Sequence, residues 1–363
     1  MKAIIAAGGK GTRLYPLTYT SNKHLIPIAN KPLISYPLEN ISAIGIKQVG
    51  IITNPETIDA IKDFIGNGDK WGIKITYIPQ SKPLGLAHVV KVAEKFINGD
   101  SFVYHLGDNI FTKGIKKPFE TFKKTKPDAL LTVIEHEENY RLGVPFFDKK
   151  GKLIEVVEKP KIPPNRYGIP GLYMFSSKVF KAFKGKGAIK PSARGELEIT
   201  ELYNYMLKND YKVEVAELEG EWRDPGKFDD SLEANKLMLD NRVKTNIKGK
   251  VDKDTKITGE VEIGKDSRIV NSQIFGPVSI GENVHIRNSY IGPYSSIADD
   301  CEIVNASIEY SILMKDIHIV DVKGKIEASI IGKHTEIRTP KTKTRSPIYS
   351  FTVADHCIIE LPF

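Results

Sequence analysis

Apolar residues follow two rhythms along this chain, and the rhythm changes near residue 241. Before that point, short apolar runs alternate with longer amphipathic stretches. The opening run Ala3-Ile4-Ile5-Ala6-Ala7 is ended by glycines and reads as a buried strand feeding a loop. Tyr36, Leu38, Ile41 and Ile44 suit a helix ending at Gly45, followed by a strand over 49–53. The pattern continues with a helix over 58–65, a strand over 73–78 and a helix from about Leu86. Strands follow over 102–106 and 129–135, then a hairpin pairing 143–148 with 153–158 across a Lys-Lys-Gly turn. An apolar strand follows Tyr173, a helix opens at Arg194 with the stretch 194–200 and continues through Leu207, and a last helix spans roughly Asp229 to Asn241. This alternation predicts an α/β domain on a parallel sheet with helices on both faces, with ligands beyond the C-terminal strand ends.

After Asn241 isoleucines recur at 257, 263, 269, 274, 280, 286, 291, 297, 303 and 308, in steps of 6, 6, 5 that make a 17-residue unit repeated three times. Gly264 and Gly281 follow equivalent isoleucines, with Ala298 in the next turn. Three short faces per coil, each turning one aliphatic side chain inward, describe a parallel β-helix of the hexapeptide type. The period weakens past Leu313; the stretch from Thr339 to Pro347 reads as a basic loop, and 357–361 as a last strand pairing elsewhere. A length of 363 residues accommodates two domains, drawn at 1–243 and 244–363.

Composition narrows the class without naming a chemistry. No stretch approaches the ~18 apolar residues of a membrane helix, and the N-terminus does not read as a signal peptide. Cys301 and Cys357 are the only cysteines and neither has metal-ligand spacing, so the expectation is a cytoplasmic protein with no membrane partner. The net charge of +8 is scattered among acids, which suits a solvated surface or a cleft for anions and gives no nucleic-acid motif. His285, His318, His334 and His356 are scattered too, with no acyl-transfer motif, so the repeat is read as a prism for assembly or regulation, in a homo-oligomer.

Candidate chemistry begins at Gly8-Gly9-Lys10-Gly11-Thr12-Arg13-Leu14. Three glycines in four positions let several backbone N–H groups converge on one anion, with the Thr12 hydroxyl and the Arg13 fork to assist. The spacing matches neither GxxxxGK[ST] nor GxGxxG. Lys23 follows Arg13 by ten residues, near enough to face the same polyphosphate, and Lys31 is a second candidate. Gln80 carries the donor and acceptor that suit a pyrimidine edge, and Gly85 leaves room for a base. His88 reads as an ordinary helix-face histidine. Asp108 sits at a strand end, where a carboxylate can hold Mg²⁺ beside a phosphate, and Asp224 supplies a second. Glu158 suits sugar hydroxyls and Lys159 a phosphate, provided the chain bends near Pro160.

In order, GGKGTRL, Lys23, Gln80, LGDN, GV, EKP, GLY, RGELEIT and WRDPG make the first ~240 residues resemble the sugar-1-phosphate nucleotidyltransferase family, in its thymidylyl branch. The resemblance implies a Rossmann-like catalytic domain on a mixed, mostly parallel sheet, and the repeat resembles the left-handed β-helix of that family's long forms. It further implies that dTTP and α-D-glucose 1-phosphate give dTDP-glucose and pyrophosphate, with Mg²⁺. UTP or another hexose 1-phosphate is the alternative, and a non-catalytic regulatory subunit is the alternative of another class. Carried over, Gly8, Gly9, Gly11, Thr12 and Arg13 bind the triphosphate, and Arg13 with Lys23 neutralises the leaving pyrophosphate. Gln80 and Gly85 read the base. Asp108 and Asp224 hold the metal, while Asn109, Gly143, Glu158, Ile169 and Tyr173 line the sugar pocket with Lys159 on its phosphate. Three positions depart from the family pattern: Leu142 for an aromatic, Pro170 for Thr, and Asp224-Pro225-Gly226 for Asp-Thr-Gly.

Overall fold

The computed structural model describes residues 1–339. The described residues pack as two compact units: Met1–Lys10 with Leu33–Arg223, and Gly11–Pro32 with residues 224–339.

The first unit is built on strands β1 (Lys2–Ala6), β2 (Gln48–Thr53), β3 (Lys74–Pro79), β4 (Phe102–Leu106), β5 (Ala129–Glu135), β6 (Gly143–Phe147), β7 (Leu153–Glu158), β8 (Tyr167–Gly168), β9 (Leu172–Phe175) and β10 (Val213–Glu217). The main sheet runs β8-β5-β9-β4-β1-β2-β3, with β10 also on β5. Strands β4, β1, β2 and β3 are mutually parallel, whereas β9 runs antiparallel between β4 and β5. Helix α1 (Ser35–Ala43) links β1 to β2, α2 (Ile58–Ile65) links β2 to β3, and α3 (Leu86–Val92) precedes β4. Central strands such as β1 and β4 are buried on both faces, which is why their sequences are continuous apolar runs rather than alternations.

Register fixes the site-bearing edge of this sheet. Ala6 stands opposite both Ile52 and Leu106, and Ile52 opposite Ile78, so these four residues form one row. Two residues further along each strand come Gly8, Asn54, Gln80 and Asp108. The loop after β1 is clamped there: Ala7 N–H donates to Ile52 O at 2.7 Å, Gly107 N–H to Ala6 O at 2.8 Å, and Thr53 Oγ1 to Ala7 O at 3.0 Å.

The second unit holds the left-handed β-helix. Parallel strands stack into three faces, whose inward rows run Ile257-Ile274-Ile291-Ile308-Ile326, Ile263-Ile280-Ile297-Leu313-Ile331 and Ile269-Ile286-Ile303-Ile319-Ile337. Corners are turned by left-handed residues, Asn271, Asn288, Asn305 and Asp321 among them. Asn and Asp enter that region at lowest cost after glycine, and their side chains then bond from coil to coil. Asn271 donates to Asn288 at 2.9 Å and Asn288 to Asn305 at 3.1 Å. Gly281 is needed for the stacking itself, because a Cβ there would fall 2.4 Å from Asp299 Oδ1. Also in this unit, Leu14 and Ile26 join the aliphatic core of the coils. Asn30 donates to Ser279 O and Ile297 O, both at 2.9 Å, and Asn235 of helix Phe228–Arg242 donates to Tyr294 O at 3.0 Å.

Several expectations change. Coils continue past Leu313 to Arg338; one has 16 residues and the next 18, so the 17-residue period blurs while the stacking persists. The stretch 194–198 is not helical: Leu197 N–H donates to Leu84 O and Ala87 N–H to Leu197 O, and the helix begins only at Ile199. The basic stretch after Thr339, the 357–361 strand, His356 and Cys357 lie outside the described residues. Cys301 is buried in the coil core, and burial pushes its thiol up to about 11, which leaves it inert at neutral pH. Among the described residues no helix is long and apolar enough to cross a membrane.

Candidate active site

The row of Gly8, Asn54, Gln80 and Asp108 starts the site. A Cβ on Gly8 would lie 3.3 Å from Asn54 Oδ1 and 3.4 Å from Gln80 Oε1, so both oxygens border the hydrogen-only face of that glycine. Asn54 Nδ2 donates to Gly8 O at 2.6 Å, and its own Oδ1 is buried without a partner. Gln80 is 4% exposed and its Nε2 lies 2.8 Å from His88 Nδ1. The histidine that reads as an ordinary helix-face residue thus touches the proposed base-reading amide. Gly85 has φ +99, and a Cβ there would strike Leu197 O at 2.5 Å; its missing side chain makes room for the Arg194–Leu197 stretch.

Asn109 joins three motifs that are far apart in sequence. Its Oδ1 accepts from Trp222 Nε1 at 2.7 Å and from Gly171 N–H at 3.1 Å, and its Nδ2 donates to Asp108 Oδ1 at 2.9 Å. At 1% exposure it orients Asp108 from within the protein. Beneath it, His105 is buried between Leu106 O on Nδ1 at 2.6 Å and Asn40 Nδ2 on Nε2 at 3.2 Å. A carbonyl only accepts and an amide NH₂ only donates, so the ring is neutral with its proton on Nδ1. Burial accordingly lowers its pKa to about 4.

A second group gathers Gly143, Glu158, Ile169 and Lys159. Gly143 is opposite Glu158 across the hairpin, Ile169 N–H donates to Gly143 O at 2.9 Å, and a Cβ on Gly143 would fall 2.9 Å from Thr200 Cγ2. The bend that lets Glu158 and Lys159 act together occurs at Lys159 itself, which is left-handed at φ 49, ahead of Pro160. Lys159 Nζ lies 3.8 Å from Glu158 Oε1. Arg194, quoted in a motif but given no role from sequence, reaches Glu158 at 3.4 Å and Glu198 at 2.8 Å. Burial and the nearby Glu198 raise the Glu158 pKa, against the pull of Lys159 and Arg194. Tyr173 is only 3% exposed and packs on Tyr104 with ring centres 5.2 Å apart.

In the second unit the glycine-rich turn continues into a cationic cluster. Gly11 takes φ +66, Thr18 Oγ1 donates to Gly11 O at 2.8 Å, and Thr12–Leu14 forms one 3₁₀ turn that leaves Thr12 and Arg13 exposed. A Cβ on Gly226 would meet Arg13 Nη2 at 3.1 Å, so this glycine is the floor under the guanidinium. Lys23 is 6% exposed and pairs with Asp224 at 3.4 Å, and Asn22 Oδ1 caps the turn by accepting from His24 N–H at 2.8 Å. Two motifs 201 residues apart therefore meet. Lys31 pairs with Ile28 in a two-residue strand, and Gly9 is exposed. A groove of about 740 Å³ on the β-helix is lined by Asn271, Asn288, Asn305 and Ser307, with no histidine among its lining residues.

The chain is similar to known proteins over most of its length. The nucleotidyl transferase family model matches residues 2–241. A glucose-1-phosphate thymidylyltransferase of Streptomyces antibioticus is 38% identical over 362 residues, covering 99% of each chain. That of Streptomyces griseus is 39% identical over 93% of each. The low-salt glycan biosynthesis nucleotidyltransferase Agl11 of Haloferax volcanii is 37% identical over 74% of each. Among solved structures, a Bacillus anthracis chain assigned as a glucose-1-phosphate thymidylyltransferase, in complex with a sucrose, superposes with a TM-score of 0.61 at 38% identity, over 65% of this chain and 94% of that one. A UDP-glucose pyrophosphorylase complexed with UDP-glucose gives a TM-score of 0.58 at 22% identity, over 66% and 99%, a likeness of fold alone.

Proposed function

Because the chain belongs to the nucleotidyl transferase family, we propose that its reaction is dTTP plus α-D-glucose 1-phosphate to dTDP-glucose plus pyrophosphate. It is a nucleotidyltransferase; the nucleotide and the sugar are the proposal. The observation that carries the reading is the register row, which sets a glycine turn, two amides and a carboxylate at adjacent strand ends.

The chemistry asks little beyond charge control. A phosphate monoester is mostly dianionic near pH 7, its second pKa being about 6, so its oxygen attacks the α-phosphorus without a general base. One P–O bond forms to the sugar phosphate as the bond from the α-phosphorus to the pyrophosphate oxygen breaks, and no proton moves. The barrier is repulsion between anions and charge gathering on the leaving group, which positioned cations offset. In this proposal Gly8, Gly9, Gly11 and Thr12 cradle the triphosphate, and Arg13 and Lys23 take the leaving pyrophosphate. Gln80 reads the base. Asn109 holds Asp108 in orientation, Glu158 with Gly143 and Ile169 borders the sugar, and Lys159 and Arg194 receive its phosphate.

For the metal, the donor set is the test of fit. Among the described residues no group of three or more His, Cys, Asp or Glu forms a closed site. Mg²⁺ is ordinarily held by one or two carboxylates plus substrate phosphates, which suits Asp108 and Asp224. When bound it supplies charge neutralisation at the phosphates. The test is pyrophosphate release by the full chain across a matrix of nucleoside triphosphates and sugar 1-phosphates. The expected result is highest turnover with dTTP and glucose 1-phosphate; release from no pair, or release independent of the sugar, contradicts it.

A further inference from the structure

A glutamine amide presents two nearly isosteric ends, and which end faces a ligand is decided by what holds the other. Here Gln80 Nε2 lies 2.8 Å from His88 Nδ1. An amide NH₂ cannot accept, so the contact is a hydrogen bond only when Nδ1 carries a lone pair and Gln80 donates. The remaining end, Oε1, then points where it is found, against the open face of Gly8 and beside Asn54 Oδ1. Asn54 cannot be flipped either, because Gly8 O can accept only from its NH₂. Its oxygen is buried and unpartnered. Two fixed acceptors therefore converge on one space and call for a ligand that brings donors.

We propose that His88 is a positioning residue that locks the Gln80 amide with its oxygen toward the nucleotide, so that the site selects a base with an N–H donor at its pairing edge over one with an acceptor there. Thymine and uracil carry N3–H; cytosine carries a bare N3. The inference rests on the reading of Gln80 as the base contact. The His88 backbone N–H donates to Gly85 O at 3.1 Å in the first turn of α3, which fixes the backbone that carries the ring. Burial and the nearby Lys91 lower its pKa, which favours the neutral ring this arrangement requires.

The experiment compares kcat/KM for dTTP and dCTP, with glucose 1-phosphate as co-substrate, in the full-length wild type, His88→Ala and His88→Asn. The Ala variant frees the amide to rotate, and the dTTP:dCTP ratio is expected to fall about tenfold, the worth of one hydrogen bond, mainly through KM for dTTP. An Asn side chain offers an oxygen near the place of Nδ1 and is expected to restore most of the ratio. A residue of merely structural importance would lower both activities together and leave the ratio alone, so an unchanged ratio in His88→Ala overturns the inference. If that variant does not fold, His88→Leu takes its place, and an unchanged ratio there overturns the inference equally. A wild type that does not distinguish dTTP from dCTP overturns the reading of Gln80 itself, a separate failure.

Discussion

The sheet unit and the β-helix solve opposite problems with the same backbone. In the β-helix every inward position has counterparts one coil away, so Ile286 lies between Ile269 and Ile303 and any single residue is one of a series. In the sheet unit Gly8, Gln80, Asp108 and Asn109 each occur once: Asn54 holds Gly8, His88 holds Gln80, and Asn109 ties Asp108 to Gly171 and Trp222. Repetition distributes stability; a site concentrates chemistry. Substitutions in the two regions should therefore fail differently, one in activity and the other in stability.

The largest effect is expected at Asp108. Asp108→Asn keeps the shape and the Asn109 contact region but removes the charge, and turnover should fall by about a hundred- to a thousand-fold, the scale for one preorganised electrostatic contact. Circular dichroism and Tm should stay near wild type; full activity would remove Asp108 from the metal. The contrasting change is Ile286→Ala, which opens a cavity in the coil core and should cost about 2–5 kcal/mol in denaturant unfolding while kcat at low temperature stays intact. A comparable loss of kcat in that variant would break the contrast.

Between these lies His105, whose neutral buried ring couples the sheet unit to pH. Its folded pKa of about 4 is below the ordinary 6.5, so the unfolded chain takes up the proton first as pH falls. Stability from this residue is present above 6.5 and is lost toward pH 4, by about 3 kcal/mol in all. Urea midpoints at pH 7 and pH 4.5 should show the loss, and His105→Gln should lose less over the same interval. Smallest is Asn288→Ala at one corner of the prism. Alanine is strained at φ 49, and about 1–2 kcal/mol is expected, with no change in KM for either substrate.

Legibility from sequence follows the same divide. The β-helix was readable through its isoleucine period as far as Ile308, then hidden where coils of 16 and 18 residues replace 17 although Ile319, Ile326, Ile331 and Ile337 continue the rows. The alternation of strands and helices was readable because buried parallel strands are unbroken apolar runs. What was not readable is pairing across distance. Nothing in Asn54, His88 or Arg194 taken singly points to the candidate site, because what relates them to it is contact with Gly8, Gln80 and Glu158. Asn54 had one usable signal: once Ile52 is aligned with Ala6, it stands level with Gly8. Likewise Gly85 invited a base, whereas packing gives its open side to Leu197.

The most direct test of the central claim is a crystal structure of the full chain with dTTP and Mg²⁺. The account predicts the triphosphate along Gly8–Arg13 and the base against Gln80, with its N3–H toward Oε1. A nucleotide bound away from that turn, for instance in the Asn-lined groove of the β-helix, would contradict it.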